Sequence, residues 1–149
     1  MKNANVRVLV IVLALVVVTA AAAAIVSLMP KVPSAVTMSE GVTVSPSIPE
    51  KSADTLAYLR VQVGDSVWPL IPLTDGGEYT VTQEESGAVN TIRTTKDGAV
   101  MHFSTCDNQN CVNQREVTLG NRATRVMGSL IVCLPNQVVL ELLDAGEVQ

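Results

Sequence analysis

The chain has 149 residues, 48% of them hydrophobic and 16% charged, with 10 basic and 14 acidic residues for a net charge of -4. That length leaves room for one small domain and excludes a multidomain enzyme. The acidic balance, with only Tyr58, Trp68, Tyr79 and Phe103 as aromatic residues, excludes both a basic nucleic-acid face and a stacking platform for bases.

Residues 1–7 carry Lys2 and Arg7, whereas residues 8–29 carry no charge. At about 1.5 Å per residue the second stretch spans about 33 Å, enough for a hydrocarbon core of about 30 Å. It is predicted to be a transmembrane helix acting as a signal anchor, with residues 1–7 in the cytoplasm by the positive-inside rule. A cleaved signal peptide is the rival, because Ala20 to Ala24 satisfy a small-residue cleavage rule. Against it, Ile25, Val26, Leu28 and Met29 continue the apolar run past any such site. Both readings export the remainder of the chain. The expected location is the cell membrane, single-pass, with the C-terminal domain extracytoplasmic.

Residues 30–54 contain Pro30, Pro33, Pro46 and Pro49 among several serines and lose hydrophobic periodicity. They are predicted to be a flexible Pro/Ser-rich stalk. A first strand over Val42-Thr43-Val44 is the alternative, opposed by the nearby prolines Pro46 and Pro49. From residue 30 onward 8 basic residues face 14 acidic ones, so charge alone does not bring this part to an anionic surface.

Residues 55–144 show short alternating apolar runs separated by turn residues, the pattern of an all-β domain, a small β-sandwich or barrel. Strands are predicted at 57–63, 66–72, 78–83, 88–94, 99–104, 116–119, 130–134 and 138–143. Thr55 to Arg60 is the only short helix candidate. Asp97-Gly98 suits a type I′ hairpin turn, which would set Ile92 opposite Phe103, Thr94 opposite Met101 and Arg93 opposite His102. The lone histidine then lies on the outer side, a surface strand residue and not a general base or metal ligand. Pro135-Asn136 suits the centre of a type I turn, and direct pairing across it puts Ile131, Cys133, Val138, Leu140 and Leu142 on one buried face with Glu141 on the other. Trp68 is expected in the core or at an edge. Glu84-Glu85 read as a solvated tip, Arg122 and Arg125 as part of an exposed connection, and residues 145–149 as a tail.

Three cysteines remain: Cys106 and Cys111 in a C-x4-C spacing, and Cys133, predicted to be buried. Outside a membrane Cys106 and Cys111 are the candidate disulfide, with reduced thiols and a metal or redox role as alternatives. Three cysteines and an outward histidine fall short of the usual four zinc ligands, so no metal site and no cofactor are assigned. Asp107, Asn108 and Asn110 offer oxygens, but far fewer than a calcium loop supplies.

Asp97-Gly98, Cys106-Asp107-Asn108-Gln109-Asn110-Cys111-Val112 and Ile131-Val132-Cys133-Leu134-Pro135-Asn136 before an apolar strand resemble the NusG domain II family over about residues 55–143. The resemblance implies a small β-rich domain behind an N-terminal anchor. It supplies no catalytic residues. Relative to that family, the loop reads Asp-Asn-Gln-Asn where a Pro-Asp-Lys type sequence is frequent, and Arg115 stands where glycine is common. The chain is acidic and lacks the other parts of a transcription factor, which argues against a transcription role.

There is no G-x-S-x-G, H-E-x-x-H or glycine-rich phosphate loop. The expected function is therefore a membrane-tethered, extracytoplasmic, non-catalytic interaction or accessory module. Its partners would be the membrane, through the anchor, and a protein at the outer face, with no nucleic acid. The alternative is an accessory to membrane or extracellular electron transfer that uses Cys106 and Cys111 as a redox-responsive pair.

Overall fold

The computed structural model describes residues 36–39 by their backbone, and residues 41–45 and 47–148 in full. The anchor expected over 8–29 and the cytoplasmic residues 1–7 lie outside them. Among the described residues no helix is long and apolar enough to cross a membrane.

The described residues are mainly β, with two antiparallel sheets and little helix. Strands β1 (Val36–Ser39), β2 (Val42–Ser45), β6 (Gly77–Gln83), β7 (Ala88–Thr94), β8 (Gly98–Ser104) and β9 (Val117–Thr118) form the first sheet in that order. In the second, β10 (Leu130–Cys133), β11 (Val138–Asp144), β3 (Ala57–Val63) and β4 (Ser66–Val67) follow one another, and β5 (Ile71–Pro72) also pairs with β3. A one-turn helix α1 (Asn110–Asn113) and a 3-10 turn (Ala145–Glu147) complete the elements among the described residues.

Strand β3 shows why these segments are extended. Ala57, Leu59, Val61 and Val63 alternate with Arg60 and Gln62, the period of a strand. With β11 on one side and β4 and β5 on the other, a central position overrides any local helical preference, so the helix candidate at Thr55 to Arg60 is wrong. The expected strand 66–72 divides into β4 and β5 around Trp68-Pro69-Leu70, since Pro69 has no N–H to donate to a ladder. Trp68 itself is buried in the core.

The stalk expected over 30–54 does not hold for Val42–Ser45, which is strand β2. Val44 is fully buried and lies opposite Val81 of β6. Pro46 and Pro49 come after the strand and so cost it no hydrogen bond. The sheet therefore begins well before residue 55.

Both sheets contribute to one apolar cluster, with Val44, Tyr79, Val81, Ile92 and Met101 from the first and Leu59, Val61, Ile131, Leu140 and Leu142 from the second. Each large aliphatic side chain removed from water is worth about 1.5–3 kcal/mol. This cluster is the main source of cohesion.

The two hairpins read from sequence fare differently. Across Leu134–Gln137, Cys133 pairs with Val138, Val132 with Val139 and Ile131 with Leu140. The Gln137 amide donates to Leu134 O at 3.1 Å and Gln137 takes a φ of 53°. This is a turn centred on Pro135-Asn136, followed by a left-handed residue that restores strand twist. Ile131, Cys133, Val138, Leu140 and Leu142 are all buried, as expected.

In the other hairpin, Thr95 N–H donates to Gly98 O at 2.9 Å, so the turn centre is Lys96-Asp97. Thr94 pairs with Ala99 and Ile92 with Met101, two residues away from the expected register. A bulge at His102 then sets Thr91 opposite Phe103 and Asn90 opposite Ser104, turning Phe103 outward and Ser104 inward. Arg93 faces Val100 and pairs instead with Glu78 at 2.7 Å. Gly98 serves not as a left-handed turn residue but as a close approach: a Cβ there would stand 2.7 Å from Val117 O of β9.

Candidate functional site

The bulge in β8 creates an environment unlike the rest of the core. By turning Ser104 inward it places a hydroxyl where the two sheets meet. Ser104 Oγ accepts from Asn90 Nδ2 at 3.0 Å, Cys106 N at 3.1 Å and Asn136 Nδ2 at 3.2 Å. Asn136 Nδ2 also donates to Asn90 Oδ1 at 2.9 Å, and Asn136 O accepts from Gln83 Nε2 at 2.7 Å. Asn90, Ser104 and Asn136 are all buried. Strands β6, β7 and β8 of the first sheet are thus tied to the β10–β11 turn of the second by a satisfied polar network, the form in which such burial is tolerated.

Beyond Ser104 the chain turns through 105–109 into α1. Gln109, at φ 51°, donates through Nε2 to Ser104 O at 2.8 Å and to Cys106 O. Asn108 Oδ1 accepts from Asn110 N at 3.0 Å. The polar loop therefore folds on its own side chains, presenting Cys106 before the helix and Cys111 within it. After the helix Arg115 has a φ of 61°, a left-handed conformation that glycine adopts with the least strain.

The structure brings all three cysteines together. Cys106, Cys111 and Cys133 are buried, and their sulfurs lie within 4.8 Å of one another. Cys106 and Cys111 are free thiols with sulfurs 3.5 Å apart. A disulfide needs about 2.05 Å, so the candidate bond is not present, and the sequence spacing gave no sign that Cys133 would join the pair.

Ser104 Oγ lies 3.5 Å from Cys133 Sγ. Either group can donate across this contact, the hydroxyl to the sulfur or the thiol to the oxygen. Burial by itself would push the Cys133 thiol up, but the Ser104 hydroxyl, the Asn136 backbone N–H, Cys111 and Asn90 together bring it below its usual range. Cys111 goes the other way: burial first, then its bond to Cys133, push its thiol up to about 12, against an opposing contribution from Ser104.

Cys111 and Cys133 open onto a pocket of about 300 Å³ whose wall includes Asn108, Asn110, Gln114 and Met127. Gln114 reaches across to the edge of β10, donating through Nε2 to Val132 O at 2.7 Å and accepting from Val132 N at 2.9 Å. Arg125 closes the next stretch, with Nη1 donating to Gly128 O and Leu130 O at 2.9 Å each, and Nη2 to Gln114 O at 3.0 Å. Burial lowers its guanidinium below the ordinary value. Exposed Val126, Met127 and Leu134 lie in the segments bordering this pocket.

The remaining candidates are not gathered here. His102 is exposed in the bulge, Asp107 is exposed in the loop, and Glu84 and Glu85 are exposed at a turn as expected. Arg122 pairs with Glu147 at 2.7 Å. Sequence reasoning missed Asn90, Ser104 and Gln114, and read Asn136 only as a turn and motif residue. Only Asn90 carried a signal: a polar residue on the inward side of a strand beside Ile92 and Thr94.

A family model described as NusG domain II matches residues 8–145. Among solved structures, the solution structure of the Lin0431 protein from Listeria innocua aligns with a TM-score of 0.51 at 17% identity, over 67% of this chain and 83% of that one. A DUF1312 family protein from Enterococcus faecalis V583 aligns with a TM-score of 0.48 at 20% identity, over 60% and 98%. A DUF1312 family protein from Ruminococcus gnavus gives 0.42 at 27%, over 58% and 96%. No curated protein matches.

Proposed function

The chain belongs to the NusG domain II family, and on that premise we propose that it is a membrane-tethered, extracytoplasmic and non-catalytic accessory module, a small β-sandwich or barrel-like domain held by an N-terminal anchor. The observation that supports this is the extent of the family match. It starts at residue 8 and runs to 145, so one family model takes in both the charge-free stretch 8–29 and the β domain. A charge-free run of that length is suited to a bilayer, and Lys2 and Arg7 ahead of it favour a cytoplasmic N-terminus. The partner is a protein at the outer face of the membrane, met by the β domain.

Cell fractionation with a C-terminal tag tests the reading. The full chain is expected in the membrane fraction, resistant to high-salt wash, with the tag digested by protease added to intact protoplasts. Deletion of residues 8–29 is expected to abolish membrane retention. A tag protected in intact protoplasts and found in the soluble fraction overturns the proposal. So does turnover of substrate by the purified chain in a broad hydrolase screen.

A further inference from the structure

We propose that Cys106, Cys111 and Cys133 form a tri-thiolate site for a soft d10 metal ion of the zinc type, its fourth position open to the adjoining pocket. The inference stands apart from where the chain resides.

A tetrahedral zinc ion with bonds of about 2.3 Å to sulfur sets its thiolates about 3.8 Å apart. Here the three sulfurs lie within 4.8 Å of one another, and the Cys106–Cys111 separation is 3.5 Å. These separations bracket the spacing that one shared ion requires. The ligands come from three segments, the loop after β8, α1 and the end of β10. Cys106 N–H is fixed by Ser104 Oγ, α1 is fixed by the Gln109 side chain, and Cys133 by the β10–β11 ladder. Such a site is organised before the ion arrives.

Donor chemistry narrows the ion. Three sulfurs select zinc or copper(I) over magnesium or calcium, which take oxygen. The surroundings suit thiolates bound to a metal: the Ser104 hydroxyl, itself set by Asn90 and Asn136, lies 3.5 Å from Cys133 Sγ, where it can donate once that sulfur has lost its proton. A donor of this kind orients a ligand and tempers its charge. Three protein ligands leave one position of a tetrahedron free, and Cys111 and Cys133 form part of the pocket wall, where water or a small donor completes the shell. On binding, the three thiols release three protons to solvent and the metal keeps its oxidation state.

The test uses the reduced full-length chain in mild detergent, titrated with cobalt(II) and then zinc. One cobalt ion per chain is expected, with a thiolate-to-cobalt charge-transfer band of three-thiolate intensity that zinc bleaches. Cys133→Ser is expected to lower the band by about a third and weaken binding on the order of tenfold or more, whereas His102→Ala leaves both unchanged. Circular dichroism reports whether each variant is folded, and the wild-type stoichiometry and band intensity stand without the variants. No charge-transfer band in the reduced wild-type chain overturns the proposal. So does a band that survives intact in folded Cys133→Ser, or one that is lost in folded His102→Ala.

Discussion

The middle of the domain and its cysteine end are held together by different physics. In the middle, Leu59, Val61, Ile92, Leu140 and their neighbours pack in one apolar cluster, a non-directional interaction that tolerates adjustment. At the cysteine end, Asn90, Ser104 and Asn136 join the sheets through hydrogen bonds with defined donors and acceptors, beside three thiols. A core of the first kind makes the protein stable, whereas a polar seam makes one arrangement of its parts unique, at the risk that any broken member leaves others unsatisfied. The protein places its reactive groups where geometry is enforced and not merely filled.

The largest effect is expected in the apolar region. Leu140 is fully buried, and Leu140→Ala should cost about 2–5 kcal/mol by urea denaturation. Asn136→Ala should cost about 1–3 kcal/mol, because it leaves Asn90 Oδ1 without a donor in a buried site. A double-mutant cycle with Asn90→Ala should show coupling, and additive losses would mean the seam is not a network. If Asn136→Ala proved costlier than Leu140→Ala, the ranking of the two regions would reverse.

Smaller changes probe the borders. Arg115→Gly relieves a left-handed backbone conformation and should stabilise by about 0.5–1 kcal/mol in thermal unfolding. No gain would show that the Arg115 side chain compensates its backbone. The smallest effect belongs to the surface. The side-chain bond from Arg122, then the Asp144 backbone N–H, hold the Glu147 carboxyl below its ordinary range. Its contribution is therefore present at neutral pH and lost as pH falls through the lowered value, and salt should weaken it. Carboxyl NMR titration of wild type against Arg122→Ala checks the direction: the Glu147 midpoint should rise in the variant.

The two hairpins show which parts of this fold were legible beforehand. Pro135-Asn136 sits between strands whose apolar residues alternate without ambiguity, and its register followed from the sequence. Around Lys96-Asp97-Gly98, two turn positions satisfy the same alternation, because a shift of two residues keeps every side chain on its face. A bulge at His102 left no compositional mark at all. That bulge turns Ser104 inward, so the seam and its bond to Cys133 were hidden with it. The C-x4-C pair was visible as a spacing, but the third thiol arrives by strand pairing across the fold, which no local pattern encodes. Strand β2 was obscured by prolines that turned out to border it. Its alternating valines were the better guide.

Strand β10 is the outer strand of the second sheet, and such a strand ordinarily offers unpaired amides as a template for another chain. Here Leu130 N–H donates to Met127 O, Leu130 O accepts from Arg125, and Val132 exchanges both its groups with the Gln114 side-chain amide. One glutamine and one arginine thus take the place of a missing strand. A strand added at this border would first have to displace those bonds, which disfavours extension of the sheet here and leaves side chains as the surface to recognise.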